Sequence, residues 1–151
     1  MKLSLENWVQ YGWLKAEPSS AAEIAALFSI VTRALKDAKV EAISDDLRFQ
    51  AAFSAALTAA NIALRASGYR TKVQAGHHQK VVESLELTLK ADPKLIQKMK
   101  VFSKKRNALS YDSAGNVSQQ ELEQAIKIAG ELQQSTVAWL NEKHPELMKG
   151  S

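Results

Sequence analysis

Apolar residues along this chain recur mostly every three or four positions, the spacing of amphipathic helices, and strand-like alternation is nearly absent. The first segment, about Leu5 to Lys15, reads as a short helix carrying Trp8, Val9 and Leu14. Glu17-Pro18-Ser19-Ser20 breaks it. Ser20 followed by Glu23 forms a capping box, in which the Ser oxygen takes a free backbone N–H and the Glu reaches back to the cap. Ile24, Leu27, Phe28, Val31 and Leu35 then mark a second helix that ends between Val40 and Ser44. Ser44 or Asp45 caps a third, with Leu47, Phe49, Ala52, Phe53, Ala56, Leu57, Ala60 and Leu64. Eight of the sixteen residues from Ala51 to Ala66 are alanine. Alanine favours helix, and its small side chain lets neighbours approach closely, so this is the expected central helix. Gly68 is its stop signal.

A short basic linker, Tyr69 to Gly76, leads to His77 or His78, which opens a fourth helix with Val81, Val82, Leu85 and Leu89. Asp92 caps a fifth and Pro93 takes its first position. Its inward stripe is Leu95, Ile96, Met99, Phe102 and Leu109. Asp112 to Val117 is a loop. Ser118 with Glu121 makes a second capping box, and Leu122, Ile126, Ala129, Leu132 and Leu140 carry the last helix to about Lys143. His144-Pro145 ends it and a short polar tail follows. The expected fold is all-α: one domain, residues 1–151, built as an up-and-down bundle of about five to six helices. Its core covers about residues 20–143, with a tail at 144–151.

Composition narrows the chemistry. There is no cysteine, which removes disulfides, zinc–thiolate sites and a Cys nucleophile. No window approaches the ~18 apolar residues of a membrane span, and the first thirteen residues lack a signal-peptide core. A cytoplasmic protein without a membrane role is expected. The net charge of +4 is unevenly placed: residues 70–106 hold ten Lys/Arg against three acids, and the rest is slightly acidic. A basic middle points to an anionic partner such as RNA or a nucleotide, although lysines at helical spacing commonly form only a solvated face.

Within that stretch, Met99, Phe102, Arg106 and Leu109 fall at spacings of three and four, on one helix face. Arg106 therefore occupies a slot the pattern reserves for an apolar side chain. A guanidinium there needs a partner or a cleft. Asp112, Tyr111, an acid on another helix, or a phosphate gripped bidentately would each serve, as would the dipole of the helix end. Tyr69 and Arg70 can stack on and pair with a nucleotide, or pack the linker onto the bundle. Trp8, Trp13 and Trp139 read as core or interface anchors.

Arg106-Asn107-Ala108-Leu109-Ser110-Tyr111-Asp112 resembles the signature of the HEPN superfamily, helical-bundle proteins common in bacterial toxin–antitoxin and defence systems. The usual motif is Arg, often followed by Asn, and then a His after four to six residues. In one bacterial branch it reads Arg-Asn-x-x-x-Tyr-Asp. Gly68-Tyr69-Arg70 and Gly76-His77-His78, after an Ala-rich helix, also resemble that branch. The resemblance covers roughly Ser20 to Lys143 and implies a metal-independent ribonuclease acting as a homodimer, two motifs facing across a basic cleft. Carried over, Arg106 would stabilise the scissile phosphate, Asn107 would orient it, and Tyr111 and Asp112 would complete the site. Lys104 and Lys105 would hold neighbouring phosphates.

The departure is the motif His, the natural acid/base near neutral pH, replaced here by Tyr111, whose ordinary pKa is near ~10. His77 and His78 can make good the loss if the fold brings them to Arg106; otherwise one caps the helix and the other is exposed. No cofactor is expected. A metal held by His77 and His78 is disfavoured because adjacent helical residues diverge by about 100°. Three functions compete: a ribonuclease; a non-catalytic HEPN module binding RNA, a nucleotide or a nucleotidyltransferase-type antitoxin that modifies Tyr111; and a plain helical adaptor with Arg106 buried against a structural acid.

Overall fold

The alanine-rich segment forms the most heavily buried helix. The computed structural model describes residues 4–72, 76–111 and 117–148, positions 110 and 111 by backbone alone. Helix α3 (Asp45–Ala66) starts at Ser44, whose hydroxyl accepts from the Leu47 N–H. It ends at Ser67, and Gly68 then turns the chain at φ +94°, a conformation that favours glycine. Ala52, Ala55, Ala56, Ala59, Ala60 and Ala63 are all buried along it. Their small side chains let α2 (Ala21–Ala38) and α7 (Gln119–Lys143) pack closely on it from two sides. Helices α4 (His77–Glu83), α5 (Leu85–Thr88) and α6 (Pro93–Tyr111) cover a further part of its surface. The architecture is an all-α bundle, as the periodicity predicts.

Two buried clusters fill the interior. The larger joins Trp8, Leu14, Ile24, Val31, Leu64, Leu85, Met99, Leu132 and Leu140. The smaller joins Phe49, Phe53, Phe102 and Leu122, with the Phe49 and Phe102 rings edge-to-face at 5.2 Å. Leu57 and Ile128 pack against both. Ser118 and Glu121 form the expected reciprocal box at the start of α7.

Several local readings differ from the structure, among them the expected fourth helix, which Gly76 caps and which is broken at Ser84 into α4 and α5. The first helix is shorter than predicted: α1 (Leu5–Gln10), itself boxed by Ser4 and Asn7, is followed by a turn at Gly12, φ +80°. That turn sends Leu14 into the core as the start of strand β1 (Leu14–Ala16). The supposed basic linker contains β2 (Tyr69–Thr71), antiparallel to β1 with Lys15 opposite Arg70. Glu23 does not reach back to Ser20, because its carboxylate is taken by Arg65 and Ser19. The tail forms a 3₁₀ turn, Pro145–Met148, that lays Leu147 and Met148 against the core. The loop residues 112–116 and most of the 72–75 linker lie outside the described residues.

Candidate functional site

Helix α6 carries Arg106 within its inward stripe, between Phe102 and Leu109, both of which pack on the smaller cluster. Asp92 caps the helix start, accepting from the Lys94 N–H at 2.8 Å, and Ile96, Met99 and Phe102 are buried in turn. One turn on, Arg106 is half-buried, its guanidinium carbon 5.1 Å from the centre of the Phe53 ring. A weakly hydrated planar cation over an aromatic face is the form of charge that such a slot tolerates.

The far side of Arg106 opens onto a hollow of about 340 Å³ lined by Gly76, His77, His78, Gln79, Ser103, Arg106 and Asn107. Arg106 and Asn107 come from α6, and the histidines from the first turn of α4. The imidazoles lie 4.1 Å apart, tilted by 60°. His77 is half-buried and His78 exposed. Partial desolvation, then the charges of His77 and Arg106, hold His78 below the ordinary imidazole pKa. His78 is therefore neutral at pH 7 and able to accept a proton there.

Asn107 also borders a shallower hollow of about 240 Å³ with Lys100, Lys104 and Gln79. Lys104 is exposed, whereas Lys105 is half-buried and bridges to Glu121 at 3.3 Å. Lys105 thus ties α6 to the start of α7. Glu121 sits below the usual carboxylate range because the Ser118 N–H donates to it, with Lys105 adding to the effect.

Arg70 is placed apart from Arg106. It pairs with Glu17 at 2.9 Å and Glu23 at 3.5 Å, yet it borders a larger hollow that His77 and His78 also line. Tyr69 packs on the core, and its carbonyl accepts from Arg65. The Tyr111 side chain and Asp112 lie outside the described residues. Gln79 and Ser103 also line the hollow beside Arg106, beyond the residues that the motif points to. Ser103 stands three residues before Arg106 on the same helix face, so its position was readable. Gln79 had no signal beyond following the histidines.

No protein-family model, curated protein or solved structure matches the chain significantly. Among the described residues no helix is long and apolar enough to cross a membrane.

Proposed function

We propose that this chain is a HEPN-type RNA-acting protein, a metal-independent ribonuclease in which Arg106 steadies the scissile phosphate. The observation that supports this most is that Arg106 and Asn107 share one hollow with His77 and His78. The imidazole missing from the motif is supplied from another helix. A hollow beside Arg106 also argues against the adaptor reading, which called for none.

In this reading neutral His78 removes the proton of the RNA 2′-hydroxyl. The freed oxygen attacks phosphorus, and the P–O5′ bond breaks. The leaving 5′ oxygen is protonated from water, and His78 gives up the proton it acquired in turn. The products are a 2′,3′-cyclic phosphate and a 5′-hydroxyl end. Arg106 offsets the charge that builds on the phosphoryl oxygens, a role whose loss typically costs about 10²–10³ in rate. Asn107 orients the phosphate, and Lys104, exposed beside it, meets the next phosphate along the strand. A homodimer would set two such sites across one cleft.

Replacement of the motif His by Tyr111 favours a second reading, a module that binds RNA or a nucleotidyltransferase partner without turnover. The test is incubation of the protein with a mixed RNA pool in EDTA, beside Arg106→Ala shown by circular dichroism to be folded. Cleavage by the wild type alone is the expected result. Intact RNA with both proteins, together with measurable RNA affinity, would transfer the conclusion to the binding module.

A further inference from the structure

Beyond the two histidines lies a second hollow of about 430 Å³, set between α2, α3 and α4. His77 and His78 line both hollows, so the imidazole pair is their common wall. The second hollow differs from the first in chemistry. Its sides are aliphatic: Leu27 and Ile30 on α2, Leu57 on α3, and Val81 on α4. Ile30 is 39% exposed, one of few large apolar side chains left open to water in this protein.

Two polar groups interrupt these walls. Thr58 and Asn61 stand three residues apart on α3, half-buried, and both line the hollow. Neither side chain makes a hydrogen bond among the described residues. A half-buried amide with donors and an acceptor unspent is poised for a ligand edge that carries both.

The cations of this hollow are already engaged. Arg65, 4% exposed, pairs with Glu23 at 2.7 Å and Glu17 at 3.3 Å, and Arg70 pairs with the same two acids. This end therefore offers little to an anion. A flat, uncharged heterocycle with hydrogen-bonding edges fits aliphatic walls and a free amide far better. The volume lies within the range of about 300–1,000 Å³ usual for small-ligand clefts.

A phosphate hollow on one side of the histidines and a heterocycle slot on the other match the two halves of one nucleotide. We infer that the cleft between α2, α3 and α4 seats the nucleobase adjoining the phosphate held by Arg106, with Asn61 pairing to the base edge. This rests on the proposed action on RNA and adds the residues that would give it base preference.

The probes are inorganic phosphate, free nucleosides and the four nucleoside 3′-monophosphates, with binding followed by amide NMR shifts. The variants are Asn61→Leu and Ile30→Glu, the second at an exposed position where folding is retained, and Arg106→Ala. Asn61→Leu should weaken nucleotide binding about five- to tenfold, the worth of one hydrogen bond, and leave phosphate binding unchanged. Ile30→Glu should weaken it at least as much, by placing a carboxylate at the slot. Nucleotide binding unchanged in both variants, while Arg106→Ala abolishes cleavage, overturns the base seat and leaves the ribonuclease reading standing. Nucleosides that bind through Asn61 in a protein that never cleaves RNA support the seat and overturn the catalysis. Failure of the wild type to bind any nucleoside or nucleotide overturns the base seat, whatever the RNA assay shows.

Discussion

Arg65 holds the small sheet onto the bundle, and its removal gives a magnitude that can be worked from contacts. It is 4% exposed at the end of α3. Its guanidinium donates to the carbonyls of Glu17 (2.8 Å), Tyr69 (3.1 Å) and Pro18 (3.3 Å), and to both carboxylate oxygens of Glu23 (2.7 and 3.4 Å). Breaking a buried charge pair from one side costs about 3–5 kcal/mol. Glu17 and Glu23 keep about a third of their side-chain surface in water, so solvent can replace part of what they lose. Arg65→Met should therefore fall at the low end, about 3 kcal/mol. For a domain of this size that lowers Tm by about 6–12 °C.

Arg65→Lys keeps the charge but not the planar fork, and should recover less than half of the loss. The hydrogen bond from Arg65 is the chief reason that Glu23 lies below the usual carboxylate range. A depressed carboxylate stabilises the fold fully above its unfolded pKa, about 4.3, and loses that contribution as pH falls through the lower folded value. The gap between wild type and Arg65→Met should thus narrow below about pH 4. Urea unfolding followed at 222 nm, at pH 7 and at pH 3.5, measures both effects. A loss under 1 kcal/mol at pH 7, or a gap that widens in acid, would refute the reasoning.

Two further outcomes follow from individual groups. The Trp8 indole N–H is buried with no hydrogen-bond partner among the described residues, so Trp8→Phe trades some packing for release of an unsatisfied donor. Its urea midpoint should stay within about 1 kcal/mol of wild type, and a loss above about 2 kcal/mol would expose a missed partner. Because His78 lies below the ordinary imidazole pKa, it protonates only in mild acid. The acid limb of the cleavage rate should accordingly fall below about pH 6.5, and a limb above pH 7 would remove His78 as the base.

Helix positions were legible where caps and apolar stripes agree. Ser44, the alanines of α3, and Ser118 with Glu121 announce their helices, and all fall where predicted. Leu14-Lys15-Ala16 does not announce a strand, because three residues are too few to show alternation. Gly12 was the available sign of a break. The Ser20–Glu23 box failed because Arg65, distant in sequence, competes for the carboxylate, which no local pattern records. Arg106 was visible as a charge in an apolar slot. Its meeting with His77 and His78 depends on how α4 packs against α6, so the sequence could raise it only as a condition. Asn61 gave no signal at all: a lone amide in an alanine run reads as helix surface until α2 and α4 close around it.

In the proposed ribonuclease, α4 and α6 act as one unit on a phosphodiester. A double-variant cycle tests this most directly: single-turnover cleavage of a defined RNA oligonucleotide, in EDTA, by wild type, Arg106→Ala, His78→Ala and the double variant. Groups that act together lose little more together than singly. The expected result is cleavage by wild type to a cyclic phosphate, each single variant slower by at least about 10², and a double variant no slower than the worse single. Full activity in either single variant, or losses that multiply in the double, would contradict it.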